Sequence, residues 1–184
     1  MSPRAKLVGL AALFSAPIVA SVIAYNVMEP GRTANFGELL LPPARVTSQP
    51  LERAGGGRFA FADAAGKWVL VASDSGACPQ ACRDKLATMK LVRLALGRNA
   101  ARVERVFVVD DLARPPGAAL EEFSGMHVAL TPPGLSLPPG AGNDRAHIYL
   151  VDPNGNVMMR WPAGADRKRM LGDLQRLLKA SQIG

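Results

Sequence analysis

Cysteine and histidine, like tryptophan and tyrosine, occur only twice each in this 184-residue chain. Any disulfide or thiolate metal site must therefore use one pair, Cys78 and Cys82. Aromatic residues make up only 5% of the chain, and no run of five or more basic residues occurs despite a net charge of +7. A nucleic-acid surface needs clustered cations and stacking rings, so the basicity reads as a solvated surface and no nucleic-acid partner is expected. No internal repeat is visible. No acidic residue stands before Glu29, and residues 7–28 carry no charge at all.

That uncharged run is what the N-terminus offers instead. About 20 apolar residues suffice for a helix to cross a bilayer, and this stretch is long enough. Arg4 and Lys6 precede it, so residues 1–6 are expected in the cytoplasm and the rest of the chain on the far side. A membrane helix tolerates a proline such as Pro17. The rival is a cleaved signal peptide, whose apolar core is about 7–15 residues and ends at small residues. Here the run is longer and ends Tyr25-Asn26-Val27-Met28. The expectation is a single-pass, uncleaved anchor in the inner membrane, with its domain facing the periplasm.

Residues 29–57 hold Pro30, Pro42, Pro43 and Pro50 and end in Gly55-Gly56-Gly57. They read as a tether running over the surface, with Leu39-Leu40-Leu41 as its one apolar patch. Residues 58–184 read as one domain. Phe59-Ala60-Phe61 suits an edge strand. Trp68-Val69-Leu70-Val71-Ala72 is a continuous apolar run, the mark of a central strand. Pro79 then suits the first position of a helix. That helix puts Cys82, Leu86, Met89, Val92 and Leu96 on one face, with Arg83, Lys85, Lys90 and Arg93 off it and Gly97 as its stop. Val106-Phe107-Val108-Val109 is a second buried strand, and a short helix follows at 118–123. Strands are expected at 126–130 and at 147–151, the latter turning through Asp152-Pro153-Asn154-Gly155 into a hairpin partner at 157–161. Residues 131–142 read as a loop. Met170, Leu171, Leu174, Leu177 and Leu178 form the apolar stripe of a last helix. Strand, helix, strand, helix, strand, hairpin, helix is a thioredoxin-like α/β order: a mixed sheet flanked by helices.

Cys78 and Cys82 lie in Ser75-Gly76-Ala77-Cys78-Pro79-Gln80-Ala81-Cys82, where the central strand gives way to the helix. Unsatisfied N–H groups and the positive helix end favour thiolate there, and Arg83 and Lys85 add positive charge. Thiolates attack disulfides and bind soft metals. Residues four apart on a helix have Cβ atoms about 5–6 Å apart, and a disulfide wants about 3.5–4.5 Å, so closing the bridge needs a local distortion. Open, the pair offers two convergent ligands suited to Cu(I). A purely structural bridge over so short a loop would add little chain-entropy stabilisation. A peroxidase is disfavoured, because no Thr-x-x-Cys arrangement precedes the pair. Asp74 reads as a solvated loop residue with a possible role in proton transfer.

The stretch Gly66-Lys67-Trp68-Val69-Leu70-Val71, followed six residues later by Cys78-Pro79-Gln80-Ala81-Cys82, resembles the SCO/SenC family of membrane-anchored copper proteins. Val108-Val109-Asp110-Asp111, Arg114-Pro115 and Tyr149-Leu150-Val151-Asp152-Pro153-Asn154-Gly155 resemble further segments of that family. The resemblance implies a thioredoxin-like fold, an exported domain and a part in assembling the copper centre of cytochrome c oxidase. The partner would be the oxidase's copper-binding subunit or another periplasmic copper or thiol protein. The family's second proline is Arg83 here, and Asp144 holds the place of its copper-binding histidine. His147, three residues later, becomes the candidate third ligand to Cu(I) beside Cys78 and Cys82. Asp144 is a hard donor and a poor one for Cu(I). His127 reads as a surface or core residue. Met158 and Met159 could offer a thioether, but one of the two must face inward on a hairpin strand and reads as core packing. Three functions stay open: a Cu(I) metallochaperone, a thiol–disulfide oxidoreductase, and a non-catalytic assembly factor.

Overall fold

The structure is a computed structural model that describes residues 2–27, 35–132 and 144–181. The expected tether residues 29–34, the end of the anchor at Met28, Asn143 and most of the expected loop at 131–142 lie outside the described residues. Two units result, residues 1–34 and 35–184. In the first, helix α1 (Pro3–Val27) is long and apolar enough to cross a membrane. Its large apolar side chains, from Leu7 to Ile23, stand uncovered by protein.

The second unit is built on an eight-stranded mixed sheet in the order β1-β8-β7-β4-β5-β6-β2-β3. Its centre is β4 (Trp68–Asp74), all seven residues of which are buried. β4 runs parallel to β5 (Val103–Val109), which runs parallel to β6 (His127–Leu130). On its other side β4 pairs antiparallel with β7 (His147–Val151), the first strand of the hairpin with β8 (Asn156–Pro162). Helix α2 (Gln80–Ala95) follows β4 and ends where Gly97 adopts φ +56°. Helix α3 (Gly117–Glu122) is short, and α4 (Arg167–Ala180) closes the chain, its N-terminus capped by the Asp166 carboxylate on the Arg169 N–H.

Side-chain alternation along the strands divides the core in two. Leu70, Ala72, Ile148 and Leu150 face α2 and α4 and join Cys78, Cys82, Leu86, Met89, Met170 and Leu174. Val69, Val71, Tyr149 and Val151 face the other way, with Leu51, Phe59 and Phe61. Met159 is the inward-facing methionine of the pair and fully buried, and Met158 is partly buried against the same cluster. His127 stacks on Phe59, 4.9 Å between ring centres.

The expected tether is partly sheet. β1 (Glu38–Arg45) pairs with β8, and β2 (Leu51–Arg53) lies between β6 and the two-residue edge strand β3 (Arg58–Phe59). Leu39 and Leu40 pack against opposite core clusters, and Leu51 is fully buried. Pro42 and Pro43 fall on an edge strand, within the irregularity between Leu39 and Ala44, where no ladder N–H is required of them. The edge strand at 59–61 shortens to β3, and Phe61 enters a 3-10 turn, Phe61–Ala64.

Where the chain joins this sheet it is clamped by one buried carboxylate. Asp173 of α4 is fully buried. It accepts from the N–H groups of Phe36 (3.0 Å) and Gly37 (2.8 Å) and from Trp161 Nε1 (2.9 Å). The Arg169 guanidinium lies 3.9 Å over the Phe36 ring. Removing the carboxylate leaves three donors without a partner. Asp173→Ala is expected to lower stability by about 3 kcal/mol, read from urea unfolding followed by tryptophan fluorescence. A change under about 0.5 kcal/mol, the size of an ordinary surface effect, would contradict the clamp.

Candidate functional site

Cys78 and Cys82 form a disulfide with Cα atoms 5.1 Å apart. The geometry differs from an i, i+4 pair on one helix. Pro79 is the N-cap rather than the first helical residue, so Cys82 sits in the first turn of α2 and Cys78 precedes the helix. The local distortion that closure needs is at Cys78, whose φ is +40°. Left-handed backbone is uncommon for a residue with a Cβ. Here it lets the chain double back from the turn closed by Cys78 N–H to Ser75 C=O (3.0 Å) onto the helix start. Both cysteines are buried, Cys78 at 3% exposure and Cys82 at 0%.

The loop before the disulfide is held from below. Asp74 Oδ1 accepts from the Ser75 N–H (2.9 Å), and Asp111 Oδ1 accepts from the N–H groups of Gly76 and Ala113 (3.0 Å each). A Cβ on Gly76 would overlap the Ala113 carbonyl oxygen, so the two loops meet only because residue 76 is glycine. Burial pushes the Asp111 carboxyl upward. The Ser75 hydroxyl, the two N–H groups and the Arg145 charge outweigh it, leaving Asp111 below the usual carboxylate range. Its contribution to stability is full above the unfolded-chain value and is lost as pH falls through the depressed one.

Beneath the loop lies a charge network the amphipathic pattern did not indicate. Lys85 was expected off the buried face of α2, yet it is 1% exposed. Its ammonium donates to Ser73 C=O (2.7 Å), Asp74 Oδ2 (2.8 Å) and Arg145 C=O (2.8 Å). Asp74 is likewise not a solvated loop residue but the buried end of β4. The Arg145 guanidinium binds Asp110 (2.5 and 3.0 Å) and reaches Asp111 at 3.5 Å. The Ser73 hydroxyl donates to Asp110 Oδ2 (3.0 Å). Three carboxylates thus face two cations. The Lys85 charge is neutralised by Asp74 and does not stand free to polarise the thiols. Lys85 comes three residues after Cys82 and four before Met89, both buried, and that spacing was the available signal.

His147 is not brought to the pair. It alternates with Ile148 and Leu150, which face the cysteines, and shares the face of Tyr149 and Val151. Regular β-pairing fixes that parity. Its Nδ1 lies 2.6 Å from Asp144 Oδ2, which also accepts from the Tyr149 hydroxyl (2.5 Å). Burial and the Asp144 charge push the Tyr149 phenol up to about 12. Asp144 itself is raised by burial but lowered more by Tyr149, the Ala146 N–H and His147. The expected third ligand is thus part of a hydrogen-bonded cluster on the opposite face. Among the described residues no three His, Cys, Asp or Glu side chains converge as a metal site.

A small apolar cavity of about 10 Å³ adjoins the disulfide, walled by Cys78, Leu86, Phe107, Pro115, Phe123, Met126 and Val128. Met126, expected as the first residue of a strand, precedes β6 and lines this cavity instead.

Comparison with known proteins places the domain. Copper-bound Sco1 of yeast has the same fold, at 19% identity over 76% of this chain and 95% of that one, with a TM-score of 0.62. Apo Sco1 of Thermus thermophilus is similar at 22% identity, over 80% of this chain and 99% of that one, with a TM-score of 0.63. The thioredoxin domain of a thiol–disulfide oxidoreductase from Bacteroides vulgatus is similar at 17% identity, over 76% and 99%, with a TM-score of 0.53. No curated protein matches the sequence. The family described as transmembrane-like, thioredoxin-like, C-terminal domain matches residues 68–181. The mixed sheet, the disulfide at the start of α2 and this match agree, and the chain belongs to that family of thioredoxin-like domains.

Proposed function

We propose that this chain is a membrane-anchored, SCO-like thiol protein acting outside the cytoplasm. In this reading Cys78 and Cys82 cycle between disulfide and dithiol, and the reduced pair carries Cu(I) while the copper centre of cytochrome c oxidase is assembled. The observation that carries the reading is the disulfide at the N-terminal end of α2 in a thioredoxin-like domain. Similarity in fold to copper-bound Sco1 supports the copper half, and similarity to a thiol–disulfide oxidoreductase domain supports the exchange half. The anchor α1 supports work at a membrane. The partner is the oxidase's copper-binding subunit or another periplasmic copper or thiol protein.

Exchange needs only the two sulfurs. The Cys78 thiolate attacks one sulfur of a client disulfide, and the other client sulfur leaves as thiolate. The Cys82 thiolate then attacks Cys78 Sγ, breaks the mixed disulfide and releases the second client sulfur. Two electrons pass to the client, which ends as a dithiol, and the Cys78–Cys82 bond re-forms. A dithiol protein of the same compartment returns the pair to its reduced state. The N–H groups of the first turn of α2 stabilise the Cys82 thiolate. For copper, the same two thiolates supply two soft ligands. His147 takes no part, since it stands on the other face of the sheet.

The test is a redox titration of the full chain in detergent, read by thiol alkylation. A reversible two-electron couple between about −300 and −120 mV is expected. A bridge that stays closed against a strong dithiol reductant would make it structural. The reduced chain should also take up Cu(I), and Cys78→Ser/Cys82→Ser should lose it.

The ion network under the pair gives a separate expectation. Lys85→Met leaves Asp74 and its neighbours buried with one cation fewer. It should cost about 3–5 kcal/mol of unfolding free energy, whereas Lys90→Met, at the exposed end of its bond to Glu122 C=O, should cost under about 1 kcal/mol.

A further inference from the structure

The cavity beside the disulfide has an unusual wall. Of the seven residues that line it, Leu86, Phe107, Pro115, Phe123 and Val128 have hydrocarbon side chains. The other two, Cys78 and Met126, carry the only side-chain heteroatoms among the seven, and both are sulfur. The third sulfur, that of Cys82, is bonded to Cys78. Met126 is half-buried and packs against the core cluster that contains both cysteines. Its backbone is fixed by the turn from its N–H to Phe123 C=O (3.2 Å), after Gly125 at φ +75°.

A copper-carrying pair needs a further donor if the ion is to be held in three-coordinate form, and nitrogen is not on offer. His147 lies on the far face of the sheet, and no third Cys, His or carboxylate joins the pair among the described residues. A thioether is a soft donor that suits Cu(I). It carries no proton, so acid does not compete with the metal for it. A volume of about 10 Å³ holds roughly one water-sized probe, room for a single ion and for little else.

Resting on the reading of the reduced pair as a Cu(I) carrier, we infer that Met126 is the third ligand, completing an all-sulfur Cu(I) site with Cys78 and Cys82. The site is then a Cys–Cys–Met set in an apolar pocket, and the imidazole expected beside it is not used.

The test uses the reduced full chain in detergent, loaded with Cu(I) alone in competition with a chromophoric Cu(I) chelator. X-ray absorption at the copper edge counts the sulfur neighbours. Wild type is expected to show three sulfurs, and Met126→Leu, which nearly conserves volume, two. Met126→Leu should weaken Cu(I) binding at least about tenfold, while His147→Ala leaves affinity and sulfur count unchanged. A second readout needs no substitution for folding: selenomethionine-labelled chain should show copper–selenium scattering. The inference is overturned if Met126→Leu matches wild type while Cys78→Ser/Cys82→Ser loses copper, an outcome that leaves the carrier reading standing. It is also overturned by a labelled chain without selenium near copper. Failure of the wild-type chain to take up Cu(I) sinks both.

Discussion

One buried ammonium joins the three segments on which the site depends. Lys85 reaches from α2 to the end of β4 at Ser73 and Asp74, and to the carbonyl of Arg145 just before β7. Arg145 carries the connection on to Asp110, and Asp111 carries it to the Gly76 N–H in the loop before Cys78. A charge buried this deeply is tolerated only because all of its partners are in place. The loop, the helix that follows and the approach to β7 are therefore not free to move independently. The loop that leads into the disulfide rests on a polar floor held together by this one side chain.

That floor changes the electrostatic account of the thiols. A lysine near a cysteine usually argues for a stabilised thiolate. Here the lysine is consumed by Asp74, and the network holds more carboxylates than cations. Favourable charge at Cys82 comes instead from its place in the first turn of α2, where N–H groups point outward. Cys78 gains less from the helix, because it precedes the N-cap. The two sulfurs are thus unequal. Cys82, fully buried at the helix start, suits the leaving and resolving part. Cys78, buried at 3% exposure on a left-handed residue before the N-cap, is left as the sulfur for first contact with a partner.

Much of the fold was legible because strands and helices here follow burial. The β4 run is apolar at nearly every position and proved to be the buried centre of the sheet. The α2 stripe Cys82-Leu86-Met89-Val92-Leu96 and the stripe of α4 face the core as their spacing requires. The residues before β4 misled because prolines and glycines usually mark a free segment. On an edge strand with an irregular register, prolines cost no ladder bond, and Leu39, Leu40 and Leu51 supply the burial. Lys85 misled for a different reason. Residue type suggested solvent, whereas its position on the helix required the interior, and only a partner at the end of a distant strand makes that tolerable. Strand parity set His147 against Tyr149 already in the sequence. What sequence did not carry was the identity of the opposite face, which follows from the pairing of β7 with β4.

The same parity argument governs what the site can hold. A strand residue can approach the cysteine pair only if it alternates in phase with Ile148 and Leu150, and His147 does not. Asp144 lies outside the strand, but its carboxylate is occupied by Tyr149, His147 and the Ala146 N–H. With both positions withdrawn, no imidazole or free carboxylate among the described residues reaches the pair from this side. The wall of the cavity beside the pair is hydrocarbon apart from the sulfurs of Cys78 and Met126. A site so lined disfavours hard cations, which need oxygen, and suits the soft-metal and disulfide chemistry proposed for the pair. Both run through the thiolate state. Reduction of the disulfide is therefore the step that commits the site to either.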